Sequence, residues 1–465
     1  MFSERRFSER TNWKLAQNQF TVAVEEVRAR GTKILDLTVS NPTRAGLHYG
    51  EAAILGALAS PRALDYDPQA KGLLAARQAV SGYYRDRGGL GERDVAGNVS
   101  TSGIDVDPEH VVLTTSTSEG YSFVFRLLCN AGDQLLVPKP SYPLFEFLAD
   151  LQDVRLVPYP LIYDHGWQMD FPSLERAVTE RTRGVVVVHP NNPTGSFVSA
   201  GEMELLNGFC RERGLAVIAD EVFLDYRVMA SGAKAPTQEK LDRGAGSAAP
   251  PKNADDVVLP ANGRSLHAPV DRHSPIHRLG RDDREEELEA HASFAGNRDV
   301  LTFTLSGLSK VVALPQMKVA WVATSGPALE VAAAMGRLEV IADTYLSMNA
   351  PVQWAVPALL EQRKDIQRQL MERVRANLAE LDRQLGGQNV CERLRVEGGW
   401  YAVLRVPVTR SDEELAIELV REKAVVVHPG HFYDFSSDGY LVLSLITPVD
   451  EFKDGMARVL EFLNS

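Results

Sequence analysis

The sequence predicts an α/β protein: a large, mostly parallel sheet of seven strands plus a smaller α+β domain. Three observations lead there. Short β-rich runs alternate with helical patterns between residues 110 and 325, which is the logic of βαβ units. Several runs are apolar on both faces, as in a sheet covered by helices. The 465 residues also exceed what one hydrophobic core usually holds.

The strand candidates are VVLTTS (111–116), QLLVP (134–138), VRLVPY (154–159), VVVVHP (185–190), AVIADEVF (216–223), VLTFTLS (300–306) and KVAWVAT (318–324). Helical stretches such as SEGYSFVFRLLCN, FPSLERAVTERT and AGEMELLNGFCRERG lie between them. Residues 13–30 read as an amphipathic helix leading into KILDLTV. After residue 327 a long helical segment precedes RVEGGWYAVLRVPV, AVVVHPG, YLVLSLIT and a final helix. The expected organisation is an N-terminal segment (1–60) joining the small domain, a large domain (61–327), and a small C-terminal domain (328–465). Residues 229–299 are rich in Ala, Gly, Pro and Ser and are expected to be a partly disordered surface insertion. His273 and His277 have helical metal-ligand spacing there, but Pro275 between them argues against a helix, and no metal is expected.

Composition narrows the function classes. Hydrophobic residues make up 44% and charged residues 24%, as in ordinary globular proteins. The 50 basic and 62 acidic side chains leave a net charge of −12, which gives no electrostatic reason to expect nucleic acid or an anionic membrane. Cys129, Cys210 and Cys391 are scattered and odd in number, so neither a disulfide framework nor a metal pattern is present and a cytoplasmic setting is expected. The start, MFSERRFSERTNWK, is charged where a signal peptide is apolar. No uninterrupted apolar run approaches membrane-spanning length.

The polar residues that stand out sit at the carboxyl ends of strands, where parallel α/β sheets bind ligands. Ser116-Thr117-Ser118-Glu119 opens a helix and offers an anion site. Asn191-Asn192-Pro193-Thr194-Gly195 follows VVVVHP, Asp220-Glu221 follows AVIA, and Ser-Gly-Leu-Ser-Lys310 follows LTFTL. Singly, these read as a cap, a turn, a second cap and a solvated lysine. Together they place an anion site, an amide, a carboxylate and an amine on one sheet edge, as a phosphorylated, nitrogen-containing aldehyde cofactor requires.

The set HPNNPTG, ADEVF and SGLSKVVALPQMK, in that order and spacing, resembles the class I/II aminotransferase family of fold-type I pyridoxal-phosphate enzymes, over residues 30–228 and 300–460. The resemblance implies that Lys310 forms the Schiff base with pyridoxal 5′-phosphate and then moves the substrate's α-proton. It implies that Asp220 pairs with the pyridine nitrogen and Asn192 with the ring oxygen. Thr117, Ser118, Ser309 and Lys318 are implied at the phosphate, and Tyr142 (in KPSYP) against the ring. Tyr66 (in LDYDPQAKG) resembles a tyrosine that reaches the phosphate from the other subunit of a homodimer. Asn41 (in TVSNPT) matches a segment that covers the substrate.

Three positions depart from the family pattern. Lys318 stands where arginine is usual, and it neutralises phosphate as a point charge without bidentate geometry. Phe223 stands where many members carry a tyrosine to the ring oxygen, with Tyr226 nearby. Val442, in YLVLSLIT, stands where many aminotransferases place the arginine that binds the substrate carboxylate. Arg405 (in GGWYAVLRVP), His431 and Tyr433 (in HPGHFYDF) are the alternative candidates for that task.

The function expected is transfer of an amino group from an amino acid to a 2-oxo acid, with Trp400, Phe432, Tyr433 and Tyr142 lining a pocket for an apolar or aromatic side chain. A PLP-dependent lyase on the same fold, for example a carbon–sulfur β-lyase, is the alternative. A ligand-sensing regulator would carry a DNA-binding domain ahead of the fold, and the match begins near residue 30.

Overall fold

Val, Ile, Leu and Thr runs become strands because their branched side chains pack on a pleated surface. In the computed structural model, which describes residues 7–13, 15–87, 103–228 and 293–465, they are β1 (Leu35–Asp36), β2 (Val111–Thr114), β3 (Gln134–Lys139), β4 (Arg155–Tyr163), β5 (Trp167–Met169), β6 (Thr182–Val188), β7 (Ala216–Asp220), β8 (Thr302–Gly307), β9 (Ala320–Ser325), β10 (Glu392–Arg393), β11 (Tyr401–Arg405), β12 (Val425–Val426), β13 (His428–Pro429) and β14 (Tyr440–Ser444). The large sheet runs β2-β9-β8-β7-β6-β3-β4-β5. β9 is antiparallel to both of its neighbours and β5 to β4, while the other pairings are parallel. The seven expected strands therefore form. β5 is the eighth, and its three residues are too short a run to read as a strand. Val185–Val187 and Val217–Ala219 are buried on both faces, which is why those strands lack polar alternation.

Caps set the helix boundaries. The helix expected over 13–30 occupies Gln19–Ala29, because the Asn18 side chain accepts from the Thr21 N–H at 2.7 Å and starts it there. Ser199 and Glu202 form a capping box that opens the helix Ala200–Arg213. The long helical segment after residue 327 is interrupted. Ala328–Tyr345 ends at Leu346, and Ala350–Glu361 and Arg363–Leu385 meet at Gln362.

The small sheet runs β10-β11-β14-β13, all antiparallel, and β1 pairs in parallel with β12. The chain after β1 is stitched to the end of β14: Ser444 donates its N–H to the Leu37 carbonyl at 2.7 Å and its hydroxyl to the Val39 carbonyl at 2.5 Å. The insertion expected over 229–299, with its histidine pair, lies outside the described residues as far as residue 292. Residues 293–299 belong to the fold. Ser293 caps a short turn, Phe294–Gly296, and Phe294 is fully buried. Among the described residues no helix is long and apolar enough to cross a membrane, and no cluster of metal-ligating side chains occurs.

Candidate active site

The carboxyl ends of β2, β3, β6, β7 and β8 supply the chemistry. β8 ends in Gly307, where close packing leaves no room for a side chain. A Cβ there would meet the Val319 carbonyl at 2.8 Å and the Ala320 Cβ at 2.9 Å. The chain then turns into a single helical turn, Leu308–Val311, that carries Ser309 and Lys310. The Lys310 ammonium sits 4.6 Å from the Trp400 ring centre and 5.3 Å from that of Phe223. Desolvation in this aromatic setting pulls the amine down to about 8, with the Asp220 charge opposing. An amine in that range is partly neutral near physiological pH and can act as nucleophile and base.

Asp220 ends β7. Its carboxylate accepts the Val222 N–H at 3.1 Å and the Tyr121 hydroxyl at 3.0 Å. Desolvation nevertheless pushes it up to about 6; the two hydrogen bonds and Lys310 pull the other way. Tyr142, 46% exposed, has its phenol raised by desolvation and then by the Asp220 charge.

The turn after β6 divides its two amides. Asn191 Oδ1 accepts from the Thr194 hydroxyl at 3.0 Å and holds the turn. Asn192 is buried, and its Oδ1 has no hydrogen-bond partner. A buried amide with open capacity is costly unless a ligand completes it. Gly195 (φ 70°) closes the turn in a left-handed conformation, against the Gly398 carbonyl.

Thr117 and Ser118 open the helix Thr117–Leu128, and Ser116 caps it by accepting from the Glu119 N–H at 3.2 Å. Glu119 fixes this loop. Its Oε2 accepts from the Thr115 N–H at 2.7 Å, the Thr115 hydroxyl at 3.0 Å and the Ser347 hydroxyl at 2.9 Å. The first-turn N–H groups of that helix point toward an incoming anion. Lys318 is exposed and, at φ 52°, closes the turn Pro315–Met317 ahead of β9.

The substrate side is placed differently from the sequence expectation. Arg405 is corrected. It lies at the far end of β11, roughly 16 Å along the strand from Trp400 at the usual rise per residue. There its half-exposed guanidinium pairs with Glu392. Asn41 uses its side-chain oxygen to cap a turn, accepting from the Thr43 N–H at 3.0 Å and the Thr43 hydroxyl at 2.7 Å. His431 is exposed, its ring edge-on to Phe432 at 4.7 Å. Tyr66 is 85% exposed within one chain. Val442 is buried, facing Val403 and His428 across the small sheet.

Tyr226 answers the question raised by Phe223. Its hydroxyl donates to the Lys310 carbonyl at 2.5 Å, so it braces the lysine's backbone. Two residues escaped sequence reasoning. Tyr121 binds Asp220 from one helical turn beyond Thr117, a spacing that does place both on one helix face. Tyr401 packs 6.1 Å from Phe223 and 6.5 Å from Tyr433, long-range relations without a local signal.

The family model for aminotransferase class I and II matches residues 32–448. The chain belongs to the class I and II aminotransferase family. It is similar to the glutamate–pyruvate aminotransferase AlaA of Haemophilus influenzae, at 23% identity over 93% of this chain and 91% of that protein. The alanine aminotransferase of Mycobacterium tuberculosis is 24% identical over 94% of this chain and 87% of that one. Among solved structures, the alanine aminotransferase from Pyrococcus furiosus superposes with a TM-score of 0.77 at 20% identity, covering 99% of this chain and all of that one (100%). An aminotransferase from Escherichia coli gives 0.73 at 21%, covering 99% of this chain and 98% of that one. The protein is thus a transaminase of the type I pyridoxal-phosphate fold, and pyridoxal 5′-phosphate is its cofactor. The residues present fit that cofactor: an amine, a carboxyl, a buried amide whose Nδ2 is a donor, and a helix N-terminus follow the ends of strands in one sheet. These matches favour transfer over the lyase chemistry.

Proposed function

We propose that Lys310 anchors the cofactor and that Asp220, Asn192, Tyr142, Thr117, Ser118, Ser309 and Lys318 hold it. Bound pyridoxal phosphate supplies an aldehyde that accepts the substrate's amino group and a ring that stabilises charge at the substrate Cα. Asp220 keeps its negative charge against the ring nitrogen. Tyr121 and the Val222 N–H orient that carboxylate. Asn192 donates its amide to the ring oxygen. Lys310 Nζ, once free, would carry a proton away from the substrate Cα and give it up again within the first half of transfer, and would deliver a proton to the Cα of the incoming 2-oxo acid in the second half. The observation that carries this reading is the Lys310–Asp220 pair at the ends of neighbouring strands, each desolvated and each stabilised by the other's charge.

The named relatives act in glutamate–pyruvate and alanine transfer. Here the Lys310 amine faces the rings of Trp400 and Phe223, and Tyr401 lies 6.1 Å from Phe223, all uncharged. We infer an amino donor and a 2-oxo acid with uncharged side chains, from alanine and pyruvate up to aromatic partners. Tyr66, exposed in one chain, supports a homodimer in which it reaches the other subunit's phosphate site. The free cysteines Cys129, Cys210 and Cys391 support a cytoplasmic enzyme. Residues 61–327 form the cofactor domain in this reading, and 328–465 with 1–60 the smaller one.

The test is a screen of amino acids for bleaching of the cofactor's visible absorption, followed by dependence on a second 2-oxo acid. Bleaching by alanine or an aromatic amino acid, reversed by pyruvate, is expected. Release of ammonia and a 2-oxo acid without any acceptor would overturn it in favour of a lyase. Borohydride reduction is expected to fix the cofactor's mass on the peptide carrying Lys310 and to leave Lys310→Ala unlabelled.

A further inference from the structure

Every amino-acid and 2-oxo-acid substrate carries a carboxylate, which only accepts hydrogen bonds and so needs donors. On β14, Val442 offers none. The register of the small sheet shows what stands beside it. His428 on β13 lies directly across from Val442, and Val442 lies across from Val403. Side chains alternate along strands, so His428, Val442, Val403, Tyr401 and Ser444 share one face. His428 is the titratable member of that set beside Val442. Its Nδ1 lies 2.9 Å from the Tyr433 hydroxyl, and its ring packs 5.9 Å from Phe432.

The pair connects to the cofactor side. The Tyr433 ring lies 6.5 Å from that of Tyr401, and Tyr401 lies 6.1 Å from Phe223, which faces the Lys310 amine. The Tyr433 carbonyl also accepts the Ser141 N–H at 2.9 Å, which ties its turn to the loop that bears Tyr142. Aromatic side chains therefore run from His428 through Tyr433 and Tyr401 to Phe223 beside Lys310.

We propose that His428 and Tyr433 together bind one oxygen of the substrate carboxylate, the task for which Val442 provides no cation. The proposal rests on the aminotransferase reading above. The hydrogen-bond inventory supports it. The two side chains share one bond, and either direction of that bond leaves one donor over. If Tyr433 donates to Nδ1, a neutral imidazole keeps its proton on Nε2. If Nδ1–H donates to Tyr433, the phenolic proton is free for a ligand. Burial favours the neutral ring, pulling His428 down to about 4, with the Asp36 charge opposing. That aspartate is itself engaged by the Thr38 N–H at 2.8 Å and the Thr38 hydroxyl at 2.6 Å.

The experiment compares two probes that differ only in the carboxylate, 2-methylalanine and isopropylamine. Each is titrated into the holoenzyme and followed by the cofactor's absorption. In His428→Ala and Tyr433→Phe, the dissociation constant for 2-methylalanine is expected to rise about tenfold or more, as for loss of a donor to a charged acceptor. That for isopropylamine stays within about twofold, and His428→Gln, which keeps a donor, recovers part of the loss. Unchanged 2-methylalanine binding in both variants would overturn the proposal, as would equal weakening of both probes. A wild-type enzyme that responds to amino acids while the variants match it sinks this proposal alone. A wild type that responds to no amino acid sinks the aminotransferase reading with it.

Discussion

The Tyr226 hydroxyl donates to the main-chain carbonyl of Lys310 at 2.5 Å. This bond holds the lysine's helical turn by its backbone, while Trp400 and Phe223 pack against the side chain's amine. Tyr226 is fully buried, so its hydroxyl has no water to fall back on. Tyr226→Phe is expected to cost about 1–2 kcal/mol of unfolding free energy, by loss of a buried hydrogen bond. Cofactor absorption and its pH dependence should stay as in the wild type. A marked shift in that pH dependence would place Tyr226 at the cofactor ring.

Tyr121 acts directly on Asp220, the carboxylate proposed to pair with the cofactor ring. Its hydrogen bond is one of the forces that keep Asp220 from rising above about 6. Tyr121→Phe removes it and lets the carboxyl rise. Asp220 must be ionised to pair with a protonated ring nitrogen, so the acid limb of cofactor affinity should move to higher pH. Equilibrium dialysis of pyridoxal phosphate between pH 5 and 8 measures the shift. An unmoved limb would show that the phenol does not govern this titration.

Glu221 gives the cofactor-free protein a pH signature. Its carboxylate accepts the Ser293 hydroxyl at 2.5 Å and the Phe294 N–H at 2.6 Å, yet burial pushes it up to about 7 from an ordinary 4.5. The folded state therefore holds this proton more tightly than the unfolded chain. Stability is full below about pH 4.5 and falls as pH rises to about 7, by an amount on the order of 3 kcal/mol at most. Glu221→Gln keeps both bonds and carries no titration. Urea unfolding of the two apoproteins across that window should show the slope flattened in the variant.

Arg405 is expected to be silent in catalysis. It pairs with Glu392 on the exposed edge of the small sheet. Arg405→Ala should leave KM for both substrates within about twofold and stability within about 1 kcal/mol, the range of exposed ion pairs. A tenfold rise in KM would return it to the substrate site.

Much of the cofactor side was legible because it is local. Lys310, Asp220 and Asn192 each follow a strand by a few residues, so the ends of β8, β7 and β6 carry them to one edge. Arg405 shows the limit of the same logic. It lies on a strand that does reach the site at its other end, and the sequence carries no mark of which end that is. Tyr226 shows another limit, since two aromatic residues near Asp220 look equivalent until their hydroxyl partners are seen.

The seven longer strands of the large sheet, and the positions of Lys310, Asp220 and Val442 relative to strand ends, were legible in the sequence, because strand periodicity and short turns act over a few residues; the three-residue β5 and the breaks at Leu346 and Gln362 were not. The tertiary structure decided three relations: Tyr121 on Asp220, Tyr226 on the Lys310 carbonyl, and His428 beside Val442. Each joins positions between 14 and 99 residues apart, brought together by sheet order and register. Burial then set how strongly each group interacts, pushing Asp220 and Glu221 up and Lys310 down. That shift depends on what surrounds a side chain in space, which no local stretch of sequence contains.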